Sequence, residues 1–415
     1  MGPNSRLKLG AISATLAILL VSVPIHDDID YALKSETKSA EASSGNSLID
    51  APTWRINDRW VYSGELDVYD FIVDSGVSTN VNTLTGTLDV QVESINLVDV
   101  GGIQTLTYTV AGTGDYRADN VQLEGQNGDV VVEMDTTSII RISDMAVISQ
   151  TATIDIEFDP AFGWICFFIS CDIASITASN EYWPPLERHD FPLSVGDTWV
   201  NNYTVNTTYS GSSSYVTIPQ STSDQVETTS TVVQAGYPGV SQSGCSVSYN
   251  VTATDVNGSL VGYGWHCDSM KNDVITLNEV TLGLMARHEI DYSTLSPRPY
   301  FIDVEPMYPL APFDFTSPIW VNVSNANGAP IADQEIEFRY DPTGEVQTLT
   351  TGSNGSAFTT LNYGLRGDDS SVDGEHGSHG IVARIMNTDH IGISTITLDP
   401  DIYEVDLKIE SSSIS

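Results

Sequence analysis

The residues best suited to bind a metal ion stand together near the C-terminus. Between Arg366 and His379 the chain reads RGDDSSVDGEHGSH, which offers carboxylate oxygens and imidazole nitrogens. Calcium takes carboxylate oxygens, and a pair of histidines suits zinc. The spacing does not match an EF-hand, so the competing interpretation is a solvated acidic loop between two strands. No cofactor other than Ca²⁺ is suggested, and the candidate ligands are Asp368, Asp369, Asp373, Glu375, His376 and His379.

A second candidate site is the aromatic stretch WICFFISC, from Trp164 to Cys171. In an extended strand, cysteines at these positions would lie about 16 Å apart, so a bond between them requires the chain to turn back. Aromatic side chains on such a bend would be exposed and could contact a protein, a glycan or a lipid surface. In the alternative, they pack in a core or a domain interface. The candidate binding residues are Phe162, Trp164, Phe167 and Phe168.

The chain has four cysteines, an even number that suits disulfide bonds in an exported protein. We expect two local pairs, Cys166 with Cys171 and Cys245 with Cys267. In the alternative, Cys166 or Cys171 bonds Cys245 or Cys267 and ties two distant segments together. Asn-x-Ser/Thr sequons agree with export and predict a glycoprotein. The sequons are at Asn202, Asn206, Asn250, Asn257, Asn322 and Asn354.

Signatures of catalysis are missing from the sequence. It contains no Gly-x-Ser-x-Gly, no His-Glu-x-x-His and no phosphate-binding glycine loop. Two carboxylates could support glycoside hydrolysis, but the sequence does not indicate which two would lie close together. The adjacent pairs His189-Asp190 and His288-Glu289 are expected to be solvated at domain edges. We therefore predict no catalytic residue, and a non-enzymatic protein is favoured over an enzyme.

The charge balance excludes one class of partner. The chain has 16 Lys and Arg against 55 Asp and Glu, a formal net charge of -39. Nucleic acid is a poor partner for this surface because phosphate binding depends on clustered lysine and arginine side chains. A hydrophobic content of 40% is sufficient for folded cores, so disorder of the whole chain is also excluded. An acidic surface of this kind suits solubility in a salty exterior.

The N-terminus predicts export. Arg6 and Lys8 precede an uncharged stretch from Leu9 to Ile25, and acidic residues follow. This is the charge pattern of a secretory signal. Because the stretch is also near the lower limit for a membrane span, residues 1–25 are either a cleaved signal peptide or an N-terminal membrane anchor through residues 9–25. Residues 26–52 resemble a disordered tether, and the rest of the chain is expected to be extracellular or at the cell surface.

From Trp54 onwards the pattern predicts an all-β fold. Alternating or β-branched runs such as TATIDIEF, residues 151–158, are broken by Gly, Asn, Asp and Pro. The string WRINDRWV at residues 54–61 is echoed by LSVGDTWV at residues 193–200. We therefore expect two related β-sheet domains, at residues 53–190 and 191–297. The Pro-rich segment Tyr182–Leu186 is expected to connect them.

Two resemblances add to this prediction. The segment DFPLSVGDTW at residues 190–199 resembles the opening of β-rich domains in secreted and lipid-anchored proteins of archaea and bacteria, which implies an exported location. The Asn-Gly-Ala-Pro-Ile turn at residues 327–331 and the Gly-x-Ala-x-x-x-Leu piece at residues 355–361 are similar to immunoglobulin-like domains of invasin and intimin type adhesins. This second resemblance implies an immunoglobulin-like β-sandwich at residues 298–410, with a role in spacing, adhesion or display.

These observations predict a secreted or surface-tethered protein of the cell envelope. Its expected role is non-catalytic and structural, adhesive or ligand-binding, and its expected partner is another envelope component, a glycan or a protein. The alternative is an extracellular hydrolase, or a carrier of lipids and other hydrophobic molecules that uses a concave β-sheet.

Overall fold

The computed structural model of the protein confirms the all-β prediction. Within the described part of the chain it has twenty strands, and no helix there is long and apolar enough to cross a membrane. The expected signal or anchor at residues 1–25 lies outside the described residues. The structure describes residues 49–69, 71, 78–161, 171–214, 217–218, 220–238, 244–245, 247–281, 284–312, 315–364 and 377–398.

Twelve antiparallel strands form a closed barrel, in which each strand pairs with the next and the last pairs with the first. Closure leaves no unpaired edge strand in the barrel. The strands are β1 (Arg59–Asp67), β2 (Thr83–Val100), β3 (Ile103–Leu123), β4 (Gln126–Arg141), β5 (Val147–Pro160), β6 (Asp172–Leu186), β7 (Thr198–Ser213), β8 (Ser221–Gly236), β9 (Ser248–Asp255), β10 (Leu260–Cys267), β11 (Asn272–Thr281) and β12 (Leu284–Thr294).

The barrel replaces the expected pair of separate β-sheet domains. Strand β6 pairs with β7 from Ala174 to Trp183, and β12 pairs with β1 along the whole of β1. The Pro-rich segment Tyr182–Leu186 ends strand β6 and does not form a free connector. Two open six-stranded sheets would each expose two edges, whereas joining them edge to edge satisfies the backbone groups of all four.

The two halves of the barrel are nevertheless related, as the sequence echo predicts. Asp58 accepts a hydrogen bond from the amide of Arg55 at 2.8 Å, and Asp197 accepts one from the amide of Ser194 at 2.7 Å. In both turns the residue before the aspartate has positive φ, 72° at Asn57 and 99° at Gly196. Each turn thus has the same local structure.

The relation continues into the strands that follow. The amide of Val92 in β2 donates to the backbone carbonyl of Asp58, and the amide of Val232 in β8 donates to the backbone carbonyl of Asp197. A bulge interrupts the pairing directly after Val92 in one half and directly after Val232 in the other. Because a bulge shifts the register by one residue, its recurrence at matching positions supports an internal repeat of six strands.

Residues after the barrel form a second unit of two sheets. A three-stranded sheet has the order β13-β15-β18, and a five-stranded sheet has the order β14-β20-β19-β16-β17 with β14 parallel to β20. Side chains from both sheets share one hydrophobic core. The strands are β13 (Tyr300–Pro306), β14 (Leu310–Ala311), β15 (Thr316–Asn325), β16 (Glu335–Tyr340), β17 (Glu345–Thr350), β18 (Ser356–Asn362), β19 (Gly377–Ile385) and β20 (Ile391–Leu398).

The barrel and the two-sheet unit are packed against each other. Arg55 forms an ion pair with Asp389 at 2.7 Å, and the hydroxyl of Ser143 hydrogen bonds to Asp341 at 3.0 Å. Gly380 of β19 lies so close to the barrel that a Cβ there would stand 1.7 Å from the carbonyl oxygen of Ser143. The predicted layout of two β-domains followed by an immunoglobulin-like domain is therefore replaced by one barrel and one attached unit.

Candidate functional site

Most residues of the two sites expected from the sequence lie outside the described residues. These include all four aromatic residues between Phe162 and Phe168, and every predicted metal ligand except His379. His379 lies in β19 with 1% of its surface exposed. The aromatic and acidic-loop sites therefore stay predictions.

The cysteines bear out part of the disulfide prediction. Cys245 and Cys267 are bonded, with a sulfur to sulfur distance of 2.03 Å. Cys171 is also disulfide-bonded, and its partner lies outside the described residues. The Cys245–Cys267 bond confirms the local pair and excludes the alternative in which either of these cysteines bonds Cys166 or Cys171.

The six sequons differ in accessibility. Asn206, Asn257 and Asn354 are exposed. Asn202, Asn250 and Asn322 lie within strands and are partly buried. Exposed turn positions such as Asn257 suit glycan attachment best, and glycosylation stays a prediction for all six.

Three side chains that could hold a metal ion meet beside the turn between β10 and β11. His189 comes from the segment between β6 and β7, His266 from the end of β10 and Asp273 from the start of β11. Nδ1 of His266 lies 3.1 Å from Oδ1 of Asp273, and Nε2 of His189 lies 3.3 Å from the same oxygen. When one ligand atom is taken from each residue, the three atoms lie within 4.8 Å of one another. Phe191 packs against both imidazole rings.

The turn that carries this cluster is held from two sides. The disulfide bond fixes Cys267, the residue next to His266. Three aromatic side chains from the start of the barrel donate hydrogen bonds to three backbone carbonyls of the turn and of β11. These bonds are Trp54 Nε1 to Lys271 at 2.5 Å, Trp60 Nε1 to Met270 at 2.7 Å and Tyr62 Oη to Asp273 at 2.9 Å.

The electrostatics of the cluster keep one histidine neutral and the carboxylate charged. Burial lowers the pKa of His266, although the hydrogen bond that its ring donates to Asp273 acts in the opposite direction. Burial would raise the pKa of Asp273, but its interactions with the imidazoles of His189 and His266, which hydrogen bond to it, outweigh that effect, so its pKa lies below the ordinary range. A neutral imidazole and an ionised carboxylate are the forms that bind metal ions.

The sequence does not predict this cluster. His189 was expected only as half of a solvated pair, and no role was expected for His266 or Asp273. No local spacing connects the three residues, because they come from three different elements. The one available signal was that His266 precedes Cys267, which the sequence placed in a disulfide-bonded hairpin.

A second feature lies on the outer face of the three-stranded sheet. Across this face, register places Glu305, Trp320 and Phe358 in one row. The rings of Trp320 and Phe358 lie 5.4 Å apart, and Phe358 is 55% exposed. We call Trp320 and Phe358 the aromatic row, and Glu305 lies beside Trp320 on the neighbouring strand.

A polar row lies next to the aromatic row. It consists of Asp303, Asn322 and Ser356, which are also paired across the three strands. The Ser356 hydroxyl donates to Oδ1 of Asn322 at 2.6 Å. A hydrogen bond with Asp303 and the charge of that residue raise the pKa of Glu305, so the two carboxyl groups lie in contact.

A cavity of about 220 Å³ lies where the barrel meets the second unit. Its lining includes Lys271 and Arg298, two of the few basic side chains. Lys271 forms an ion pair with Asp268 at 2.6 Å, and Arg298 forms one with Asp58 at 3.2 Å. Both cations are thus already neutralised by the protein, and the cavity is a weak candidate for binding an anion.

Comparison with known proteins does not place the chain in a family. No protein-family model and no curated protein matches it. Among solved structures, a polysaccharide lyase is similar with a TM-score of 0.21 and 6% sequence identity, over 83% of this chain and 40% of that one. This chain thus spans less than half of the lyase, and a likeness of this size carries no argument about fold or function.

Proposed function

We propose that the protein is an exported, non-catalytic component of the cell envelope that binds neutral glycans through the outer face of its three-stranded sheet. The main support for this proposal is that the aromatic row and the polar row lie side by side on the solvent-facing side of one sheet. Export and surface attachment rest on the N-terminal charge pattern.

The chemistry of the two rows suits a sugar. The exposed ring of Phe358 and the partly exposed ring of Trp320 offer apolar faces against which the C–H face of a pyranose can stack. On β15 and on β18 the residue of the polar row is two positions away from its neighbour in the other row, a distance of about 6.6 Å. It is thus within reach of the hydroxyl groups of the same sugar. Asn322 and Ser356 can bind those hydroxyls through their amide and hydroxyl groups.

Charge favours a neutral polysaccharide over an acidic one. Asp303 and Glu305 flank the aromatic row, and the whole chain carries a formal net charge of -39. Anionic glycans would be repelled by this surface. The resemblance to adhesin-type immunoglobulin-like domains, which implies display, is consistent with a binding face on the second unit.

The proposal is tested by retention on insoluble neutral polysaccharides. The unglycosylated protein is incubated with cellulose, chitin and mannan particles, because a glycan on the Asn322 sequon would cover the face. The variants Trp320→Ala and Phe358→Ala remove the stacking surface. Tyr292→Ala removes a 49% exposed aromatic side chain from the barrel and is the matched control.

We expect the unsubstituted protein and the Tyr292→Ala variant to bind at least one of the three polysaccharides equally well. Each substitution in the aromatic row should weaken binding roughly tenfold, the effect of one lost aromatic contact. Thermal unfolding of all variants shows whether they fold. Failure of the unsubstituted protein to bind any of the three, or binding that survives both substitutions, would overturn the proposal.

A further inference from the structure

The repeat within the barrel provides a natural comparison for the pair His266–Asp273. In the second half, Tyr249 of β9 is paired with His266, which is paired with Asp273. The equivalent residues in the first half are found by aligning the two halves at their bulges, the one after Val92 and the one after Val232.

In the first half, Tyr108 of β3 stands two positions beyond this bulge, as Tyr249 does in the second half. Tyr108 is paired with Ile140, and Ile140 is paired with Val147. The register shifts next to Ile140 in β4, as it shifts next to His266 in β10.

The two hairpins also have the same length, because Ile140 and Val147 are separated by the same number of residues as His266 and Asp273. Ile140 and Val147 are thus the structural counterparts of His266 and Asp273. An isoleucine and a valine are sufficient for the fold at this position. Packing of the barrel therefore does not require the histidine and the aspartate of the second half.

Burial of His266 also costs stability, because one of its ring nitrogens has no hydrogen-bond partner. His266 is 3% exposed, and its Nε2 atom is buried without a hydrogen-bond partner. A buried polar atom without a partner destabilises the folded state. Burying this ring at a position where an isoleucine suffices in the first half points to a role for its other nitrogen, Nδ1, which lies 3.1 Å from Oδ1 of Asp273.

We propose that His189, His266 and Asp273 bind a divalent transition-metal ion, with Zn²⁺ fitting best. In a tetrahedral zinc site with bonds of about 2.0–2.1 Å, neighbouring ligand atoms lie about 3.3 Å apart. The distances from Oδ1 of Asp273 to the two imidazole nitrogens are 3.1 and 3.3 Å. All three ligand atoms lie within 4.8 Å of one another, so the distance between the two imidazole nitrogens need shorten by no more than about 1.5 Å to surround one ion.

The donor set selects the class of metal. Two imidazoles and one carboxylate suit zinc and its neighbours in the first transition row, whereas calcium and magnesium prefer sites made of oxygen atoms. The side chains of His189 and Asp273 are 13% and 17% exposed, so an ion can enter from solvent. Three protein ligands leave a fourth position for water or for a small ligand.

The first-half residues provide a variant that should fold. His266→Ile combined with Asp273→Val rebuilds in the second hairpin the pair found in the first. The exposed acidic residue of the same turn supplies the control variant, Asp268→Asn, whose side chain is 58% exposed. His189→Asn tests the third ligand separately.

Each protein is stripped with a chelator and titrated with Zn²⁺ by calorimetry, then with Co²⁺ while its visible absorption is recorded. We expect one zinc ion per chain and the intense visible bands of tetrahedral Co²⁺ in the unsubstituted protein and in Asp268→Asn. The double variant should bind at least 100-fold more weakly while remaining folded in thermal unfolding. His189→Asn should bind roughly tenfold to 100-fold more weakly.

Two outcomes would overturn the site. One is that the unsubstituted protein shows only weak binding of several ions, which is the behaviour of an acidic surface. The other is that the double variant binds Zn²⁺ as tightly as the unsubstituted protein. Neither outcome depends on glycan binding, because the aromatic row lies on the other unit.

Discussion

Asp58 and Asp197 occupy equivalent turns in the two halves of one barrel, and each carboxylate accepts a hydrogen bond from the amide three residues earlier. The two aspartates differ in their other hydrogen-bond partners. Asp58 is fully buried and also accepts hydrogen bonds from the amide of Ser296 at 2.6 Å and from Arg298 at 3.2 Å. Asp58 therefore connects the start of the barrel to the segment that leaves it.

We expect Asp58→Ala to destabilise the protein more than Asp197→Ala. Loss of Asp58 leaves Arg298 without its carboxylate and the amide of Ser296 without an acceptor, at a cost of about 3 kcal/mol. Asp197 is partly exposed, and the loss of its one turn hydrogen bond should cost about 1 kcal/mol. Urea unfolding of both variants measures the difference, and equal losses would show that the extra partners of Asp58 contribute little.

The sequence predicted the strands better than their assembly. Alternation in segments such as residues 151–158 marks a strand with one buried face, and β5 covers this segment. The echo of residues 54–61 at residues 193–200 is matched by equivalent turns in the two halves of the barrel, but the two separate domains expected from it were wrong. Closure of those halves into one barrel could not be predicted, because the same alternating pattern suits a strand in an open sheet and in a barrel.

The site was less predictable than the fold. His266 and Asp273 meet because β10 pairs with β11, and His189 reaches them from the segment between β6 and β7, so their spacing in the sequence has no period of its own. The aromatic row was missed for a similar reason. Trp320 and Phe358 become neighbours through the direct pairing of β15 with β18, whereas the strands between these two in the chain, β16 and β17, belong to the other sheet.

His288 should make stability depend on pH. It lies inside the barrel, where its Nε2 is 2.5 Å from the hydroxyl of Tyr116, and burial lowers the pKa of His288 to about 4. The unfolded chain, with an ordinary histidine pKa of about 6.5, binds a proton first as the pH falls. The contribution of His288 is therefore present above pH 6.5 and is lost as the pH falls towards 4, by about 2–3 kcal/mol.

The measurement is urea unfolding at pH 7.5 and pH 4.5. Since many carboxylates titrate in the same window, the comparison is with His288→Gln, which can keep a hydrogen bond to Tyr116 without titrating. The variant should lose less stability between the two pH values than the unsubstituted protein does. Equal losses in the two proteins would mean that His288 does not contribute to the pH dependence.

Gly380 should be needed for the junction between the two units. A methyl group there would stand 1.7 Å from the Ser143 carbonyl oxygen, and neither backbone can move without separating β19 from the barrel. Gly380→Ala should therefore cost about 1–3 kcal/mol and loosen the junction. Limited proteolysis should then cut between the units sooner than in the unsubstituted protein.

Gly236→Ala is the matched control for this substitution. Gly236 also lies in a strand, but a Cβ there would meet no atom within 4 Å. We expect this variant to show the stability and the proteolysis pattern of the unsubstituted protein. A Gly380→Ala variant that behaves in the same way would show that the close approach to Ser143 is not maintained in solution.

The Cys245–Cys267 bond should stabilise the barrel and also support the metal cluster. The bond joins residues 22 apart, and closing a loop of that length in the unfolded chain is worth about 3 kcal/mol. Cys245→Ala combined with Cys267→Ala should lose about that amount in denaturant unfolding. Because Cys267 adjoins His266, the same variant should also bind Zn²⁺ more weakly, since the end of β10 is then less firmly held.

A reductant distinguishes the effect of the bond from the effect of the substitution. Reduction should lower the stability of the unsubstituted protein by more than that of the double alanine variant, in which only the bond of Cys171 can still be broken. If the two proteins respond equally to reductant, the bond between Cys245 and Cys267 adds nothing to stability. The weaker zinc binding of the variant would then have to come from altered packing around the two buried alanines.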